Sequence, residues 1–174
     1  PKRVVHALTV FVSQRTILRT RFVSSLFHAL VAWGFIYYFV VNVGDVLEGF
    51  IAGFLFLGPS MAGNLYRLGA DLLTVGVLVG MVYLLVRRFI VRPAALSFHD
   101  NVIVHPKALR GMRVDSLVVG IFILLHVGFR LIGESAAIAA VGADRWQPFA
   151  SLLAVFWRGF DTSAMVVLEH VSWW

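Results

Sequence analysis

The sequence predicts an all-α integral membrane helical bundle with about four spans, the last one truncated, preceded by an N-terminal interfacial helix. Three observations carry this. The 174 residues are 60% hydrophobic and 14% charged, more apolar surface than one soluble core of that size can hide, so lipid has to cover part of it. The apolar residues come in long runs and nowhere alternate with the two-residue period of a barrel strand. The 15 Phe and 5 Trp suit the aromatic girdles of a membrane interface.

Composition also removes chemistries. With no cysteine, the chain has no disulfide, no thiolate metal site and no iron–sulfur cluster of its own. The net charge of +6 sits in loops between apolar runs rather than on one face, a topology signal and not a nucleic-acid surface.

Residues 1–21 mix Val4, Val5, Leu8, Val12 and Ile17 with basic residues and read as a cytoplasmic interfacial segment, or as the connector after an earlier span. Residues 22–174 form the transmembrane bundle. Its first span is expected from Phe22 to Val43, the second from Asp71 to Val86 and the third from Val114 to Gly133. Each approaches the ~20 residues that cross ~30 Å of hydrocarbon. A fourth starts near Asp161 and stops at Trp174. The segment 45–68, broken by Gly49, Gly53, Gly58 and Pro59, reads as a short re-entrant or interfacial piece. The opening Pro1 and the ending inside an apolar run point to a fragment of a longer polypeptide.

Orientation follows from the basic residues. Five lie in the N-terminal tail (Lys2, Arg3, Arg15, Arg19, Arg21) and six between spans two and three (Arg87, Arg88, Arg92, Lys107, Arg110, Arg113). The opposite side has Arg67, Arg145 and Arg158, and Arg130 falls inside a span. Five plus six against three places the tail and the 87–113 loop in the cytoplasm of a bacterial or archaeal cell, with the chain in its cytoplasmic membrane.

His6, His99 and His105 fall in the tail and the basic loop, where water can solvate them. His28, His126 and His170 fall inside spans, where a polar side chain is costly unless it is satisfied and so marks a candidate site. His28 is roughly 9 Å in from the cytoplasmic end of span one. His126 is roughly 10 Å from the external end of span three, and His170 roughly 13 Å into span four. The last two are therefore expected at similar depth on different helices, as bis-histidine haem ligation requires, with Gly120, Gly128 and Ala164 leaving room for a flat ring. Arg130, one turn after His126, is placed to pair with Glu134 at i,i+4 or with a haem propionate. No H-E-x-x-H zinc motif occurs, and acidic residues are nearly absent from the expected span interiors. Trp33, Tyr37 and Tyr38 line span one as possible quinone neighbours or interface anchors.

Four stretches, in order, carry a resemblance: SLFHALVAWGFIYY at 25–38, GNLYRLGADLLTVGVLVGMVYLLVRR followed by Pro93, HVGFRLIGESAAIA, and LEHVSWW. Together they resemble the membrane cytochrome b domain of heterodisulfide-reductase-like iron–sulfur oxidoreductases, related to the gamma subunit of respiratory nitrate reductase. The resemblance implies a module with one or two haems b that passes electrons between a cytoplasmic iron–sulfur domain or subunit and a quinone, menaquinone or ubiquinone. It would be the membrane part of a quinone-linked oxidoreductase. His28 matches the cytoplasm-proximal ligand, whose partner would lie beyond this chain. The family's second histidine ten positions on is Tyr38 here. That departure implies one haem only, or a distal haem rebuilt from His126 and His170. The competing expectation is a non-redox membrane subunit, a transporter or a scaffold of a larger respiratory or photosynthetic complex, with structural histidines.

Overall fold

The computed structural model describes residues 2–13, 21–96 and 103–173. Among them are six α-helices and no strand: α1 (Lys2–Ser13), α2 (Phe22–Phe50), α3 (Met61–Val86), α4 (Pro106–Val141), α5 (Pro148–Ala154) and α6 (Thr162–Trp173). The sequences of α2, α3 and α4 are long and apolar enough to cross a membrane, and most of their surface is uncovered by protein. Large apolar side chains such as Phe35, Phe39 and Phe122 point outward, as lipid requires.

Each of the three long helices exceeds its expected span. With 29 residues, α2 reaches about 44 Å at 1.5 Å per residue, and it runs on through Asp45 and Glu48 to Phe50. α3 starts ten residues before Asp71, at Met61, immediately after Gly58-Pro59. Ser60 caps it, its Oγ accepting the Gly63 N–H at 3.1 Å. The expected re-entrant piece at 45–68 therefore divides between the end of α2, a loop over 51–60 and the start of α3. α4 opens at Pro106, a residue suited to the first helical position because its missing N–H has no partner there anyway. His105 Nδ1 accepts the Lys107 N–H at 3.2 Å in front of it, so this loop histidine is exposed and also caps a helix. His99 lies outside the described residues.

α3 ends in a π turn over Arg87–Val91, and Arg92 takes a left-handed conformation (φ 46°) just before Pro93. Proline disfavours the α region in the residue before it, which is why the helix cannot continue. α6 has 12 residues, about 18 Å, shorter than the hydrocarbon thickness. The short helix α5, extended by a tight turn over Val155–Trp157, had no counterpart among the expected spans.

Helix packing relies on glycine. A Cβ on Gly34 would run into the Val77 methyl, and one on Gly80 would meet the Phe27 carbonyl at 3.1 Å, so α2 and α3 approach closely. Gly120 packs in the same way against Leu85, making it an α4–α3 contact rather than room for a macrocycle. Gly128 alone of the two opens onto free space. Tyr38, Val77, Met81 and Val127 form the central core, and Ile138, Ala150 and Ala154 join α4 to α5. The bundle thus has a basic end, with the start of α2, the π turn and the start of α4, and a far end where α5 folds back.

Candidate functional site

At the far end two clefts lie side by side, one among α2, α4 and α6 and the other among α2, the following loop, α3 and α4. The larger, about 870 Å³, is lined by Asn42, Asp45, Val46, Glu48, Gly49 and Phe50 of α2, His126 and Arg130 of α4, and Glu169, His170 and Ser172 of α6. Its size falls within the ~300–1,000 Å³ of ordinary cofactor pockets. His126 and His170 therefore open into one space from different helices, and Arg130 stands one turn from His126 on the same face.

Their levels differ. Gly133 packs directly on Ser172 and on the Glu169 carbonyl, which fixes the register of α6 against α4. His170 lies between those two residues, so it sits near the height of Gly133. His126 lies seven residues earlier, about 10 Å along α4. The common depth expected from the sequence is thus replaced by an offset of two helical turns. Depth counted from assumed span ends fails here because α4 runs eight residues beyond Gly133.

His170 is held in a useful way. Its Nδ1 lies 3.1 Å from the Val166 carbonyl on its own helix. When Nδ1 carries the proton and donates it there, Nε2 keeps its lone pair and can serve as a metal ligand. His126 stacks nearly parallel on Phe122, with ring centroids 6.1 Å apart. His28 is exposed near the basic end and lines neither cleft.

Arg130 also reaches across the bundle. Its Nη1 donates to Asp45 Oδ2 at 2.7 Å, across 85 residues of sequence. Its guanidinium also lies 5.7 Å from the centre of the Tyr38 ring. Glu134 is taken by Gln147, whose Nε2 donates to it at 2.5 Å. Tyr38, at the position of the family's second ligand, is buried with its hydroxyl hydrogen-bonded to Thr74 Oγ1. Tyr37 donates to the Tyr66 carbonyl at 2.7 Å and stacks on the Tyr66 ring, so it is engaged in packing.

The second cleft, about 460 Å³, is polar. It is lined by five carboxylates (Asp45, Glu48, Asp71, Glu134, Glu169) and two guanidiniums (Arg67, Arg130). Four of the acids belong to the long apolar helices, which run beyond the expected spans: Asp45 and Glu48 on α2, Asp71 on α3 and Glu134 on α4. Asp71 is 4% exposed and accepts the backbone N–H groups of Phe149 (2.7 Å) and Ala150 (3.0 Å), capping α5 from another helix. Arg67 reaches Asp144 at 3.3 Å and Asn64 at 2.5 Å. Asp45, Glu48, Arg130 and Glu169 line both clefts and form the wall between them. Among the described residues, no group of three or more His, Asp or Glu is arranged to hold a metal ion.

Asp45 and Asp71 are the residues that sequence reasoning passed over. Each was read as a boundary of an apolar run. An acid flanked by apolar residues at helical spacing, as in GADLLTVG, is a signal in its own right once the helix is allowed to continue through it. Compared with known proteins, the chain matches no family model, no curated protein and no solved structure.

Proposed function

We propose that this chain is the membrane part of a quinone-linked oxidoreductase. It would hold b-type haem and pass electrons between an iron–sulfur partner at the basic end and a quinone, menaquinone or ubiquinone, in the bilayer. On this reading the basic end faces the cytoplasm of a bacterial or archaeal cell. The observation that carries it is the shared cleft of about 870 Å³ into which His126 and His170 both open.

The residues present fit such a group. His126 or His170 would supply an imidazole nitrogen to the iron, and the His170 tautomer that donates from Nδ1 to the Val166 carbonyl would leave its Nε2 free. Arg130 stands in the wall with donors suited to a carboxylate, such as a propionate. Asp45 holds that guanidinium in place and, with Glu48 and Glu169, sets the charge along the wall. Haem, when bound, supplies one-electron transfer at its iron. The protein's part is to fix axial ligands, exclude water and set the local charge, which together tune the potential. His28 would serve a separate, basic-end haem.

The test is a reduced-minus-oxidised spectrum of the purified protein. A b-type α-band is expected, and its absence sinks the reading. His126→Ala and His170→Ala should each remove most of the band if both bind one iron. If one variant leaves it intact, that residue is not a ligand. His105→Ala, at a helix cap, should leave the spectrum unchanged.

A second reading, a non-redox subunit that moves or holds charge across the membrane, is favoured by one observation. Five carboxylates and two arginines around a cleft inside a membrane bundle are the usual mark of an ion or proton pathway. No haem, together with proton or cation flux in vesicles that Glu134→Gln abolishes, would select it.

A further inference from the structure

We infer that α1 is a binding element for anionic phospholipid headgroups, lying in the leaflet at the basic end of the bundle. Nothing in this depends on haem.

α1 separates its residues sharply. At 100° per residue, Val4, Val5, Leu8 and Phe11 fall on one side, while Lys2, His6, Thr9 and Ser13 fall on the other. Most of the apolar side is exposed: Val4 and Val5 are 62% exposed and Leu8 57%. α1 has no extended packing against any other helix. An apolar stripe of that kind is costly in water, and a bilayer interface is the surface nearest to it in the chain: Phe22, where α2 begins, is nine residues past Ser13.

Charge selects the kind of lipid. Residues 1–21 carry Lys2, Arg3, Arg15, Arg19 and Arg21 and no acidic residue. Arg87, Arg88 and Arg92 and the first turns of α4 add further basic side chains at the same end of the bundle. A group of four to eight Lys or Arg beside a membrane-crossing helix reads as a site for anionic headgroups, each contributing about fivefold in partitioning near the surface. The apolar side would enter the headgroup–acyl boundary while Lys2 and Arg3 meet phosphate.

Because the chain has no cysteine, one can be placed at will. The full protein with Leu8→Cys, labelled with an environment-sensitive fluorophore, is reconstituted in nanodiscs of phosphatidylcholine, with or without phosphatidylglycerol. Blue-shifted emission and shielding from an aqueous quencher are expected only with phosphatidylglycerol. The same label at Thr9→Cys, on the polar side, should stay quenchable. Arg3→Gln should raise the phosphatidylglycerol fraction needed for half the shift severalfold. Equal quenching of the Leu8 label in both lipids overturns the inference and leaves α1 as a free arm or a protein-docking one. Equal shielding in phosphatidylcholine alone also overturns it, because insertion would then be purely apolar. Shielding in detergent without lipid overturns it too, since α1 would then be packing on the protein.

Discussion

The two ends of the bundle are held together by different chemistry. At the far end the links between helices are polar: Asp45 with Arg130, Arg67 with Asp144, Gln147 with Glu134, and Asp71 on the start of α5. Toward the basic end they are mainly steric: Gly80 under Phe27, Gly120 against Leu85, and the Phe27 ring stacked on Tyr83 at 4.1 Å, with only the uncharged Ser24–Tyr83 contact (3.4 Å) and the Arg88 bond to the Met112 carbonyl beside them. Among the described residues, no ion pair joins helices there. Of the basic-end arginines, Arg88 donates to the Met112 carbonyl of α4 at 3.2 Å and Arg92 to the Phe89 carbonyl at 2.7 Å. Lipid gives helices no hydrophobic reason to associate, so close packing of small residues suffices where the interior is apolar. Polar groups inside lipid need partners, and their concentration at one end marks where the bundle departs from mere packing. Both clefts lie at that end.

That contrast can be broken from either side. The largest loss is expected from Asp45→Ala, which leaves the half-buried Arg130 guanidinium without its carboxylate, at a cost of about 3 kcal/mol. Chemical unfolding in detergent measures it. Replacing both partners, Asp45→Leu with Arg130→Met, should recover most of the loss, because no lone charge remains; a double variant as unstable as the single one would count against a charge-based link.

The steric half is probed by Gly34→Ala, where the added methyl meets Val77, at about 2 kcal/mol. Adding Val77→Ala should relieve that strain, and failure to do so would place the cost elsewhere. A smaller change is expected from Asp71→Ala. Losing the cap should cost about 1 kcal/mol and speed hydrogen exchange at the Phe149 and Ala150 amides, with the basic-end amides unchanged.

How far each end could be read from sequence follows the same division. The three long helices were legible because apolar runs and basic loops are local signals. Their true ends were not. A charge inside an apolar run was taken as its limit, and Asp45, Glu48 and Asp71 trimmed α2 and α3 accordingly. What allows those acids inside a helix is a partner 85 residues away for Asp45 and backbone amides 78 and 79 residues away for Asp71. Nothing in a single sequence displays such pairs. α5 escaped notice because seven residues are too few to establish a helical period. Of the site, His126, His170 and Arg130 were identifiable as polar groups in apolar runs, and they do meet in one cleft. Their relative heights depended on the Gly133–Ser172 register, which only packing decides.

The reach of the Asp45–Arg130 pair has a consequence for biosynthesis. The carboxylate is made 85 residues before the guanidinium that neutralises it, which at ~5–20 residues per second is an interval of about 4 to 17 seconds. Throughout that interval α2 and then α3 enter the membrane carrying acids whose partners have not been synthesised. The helices must therefore insert first and assemble later, and the far end of the bundle is the last part of it to become waterproof.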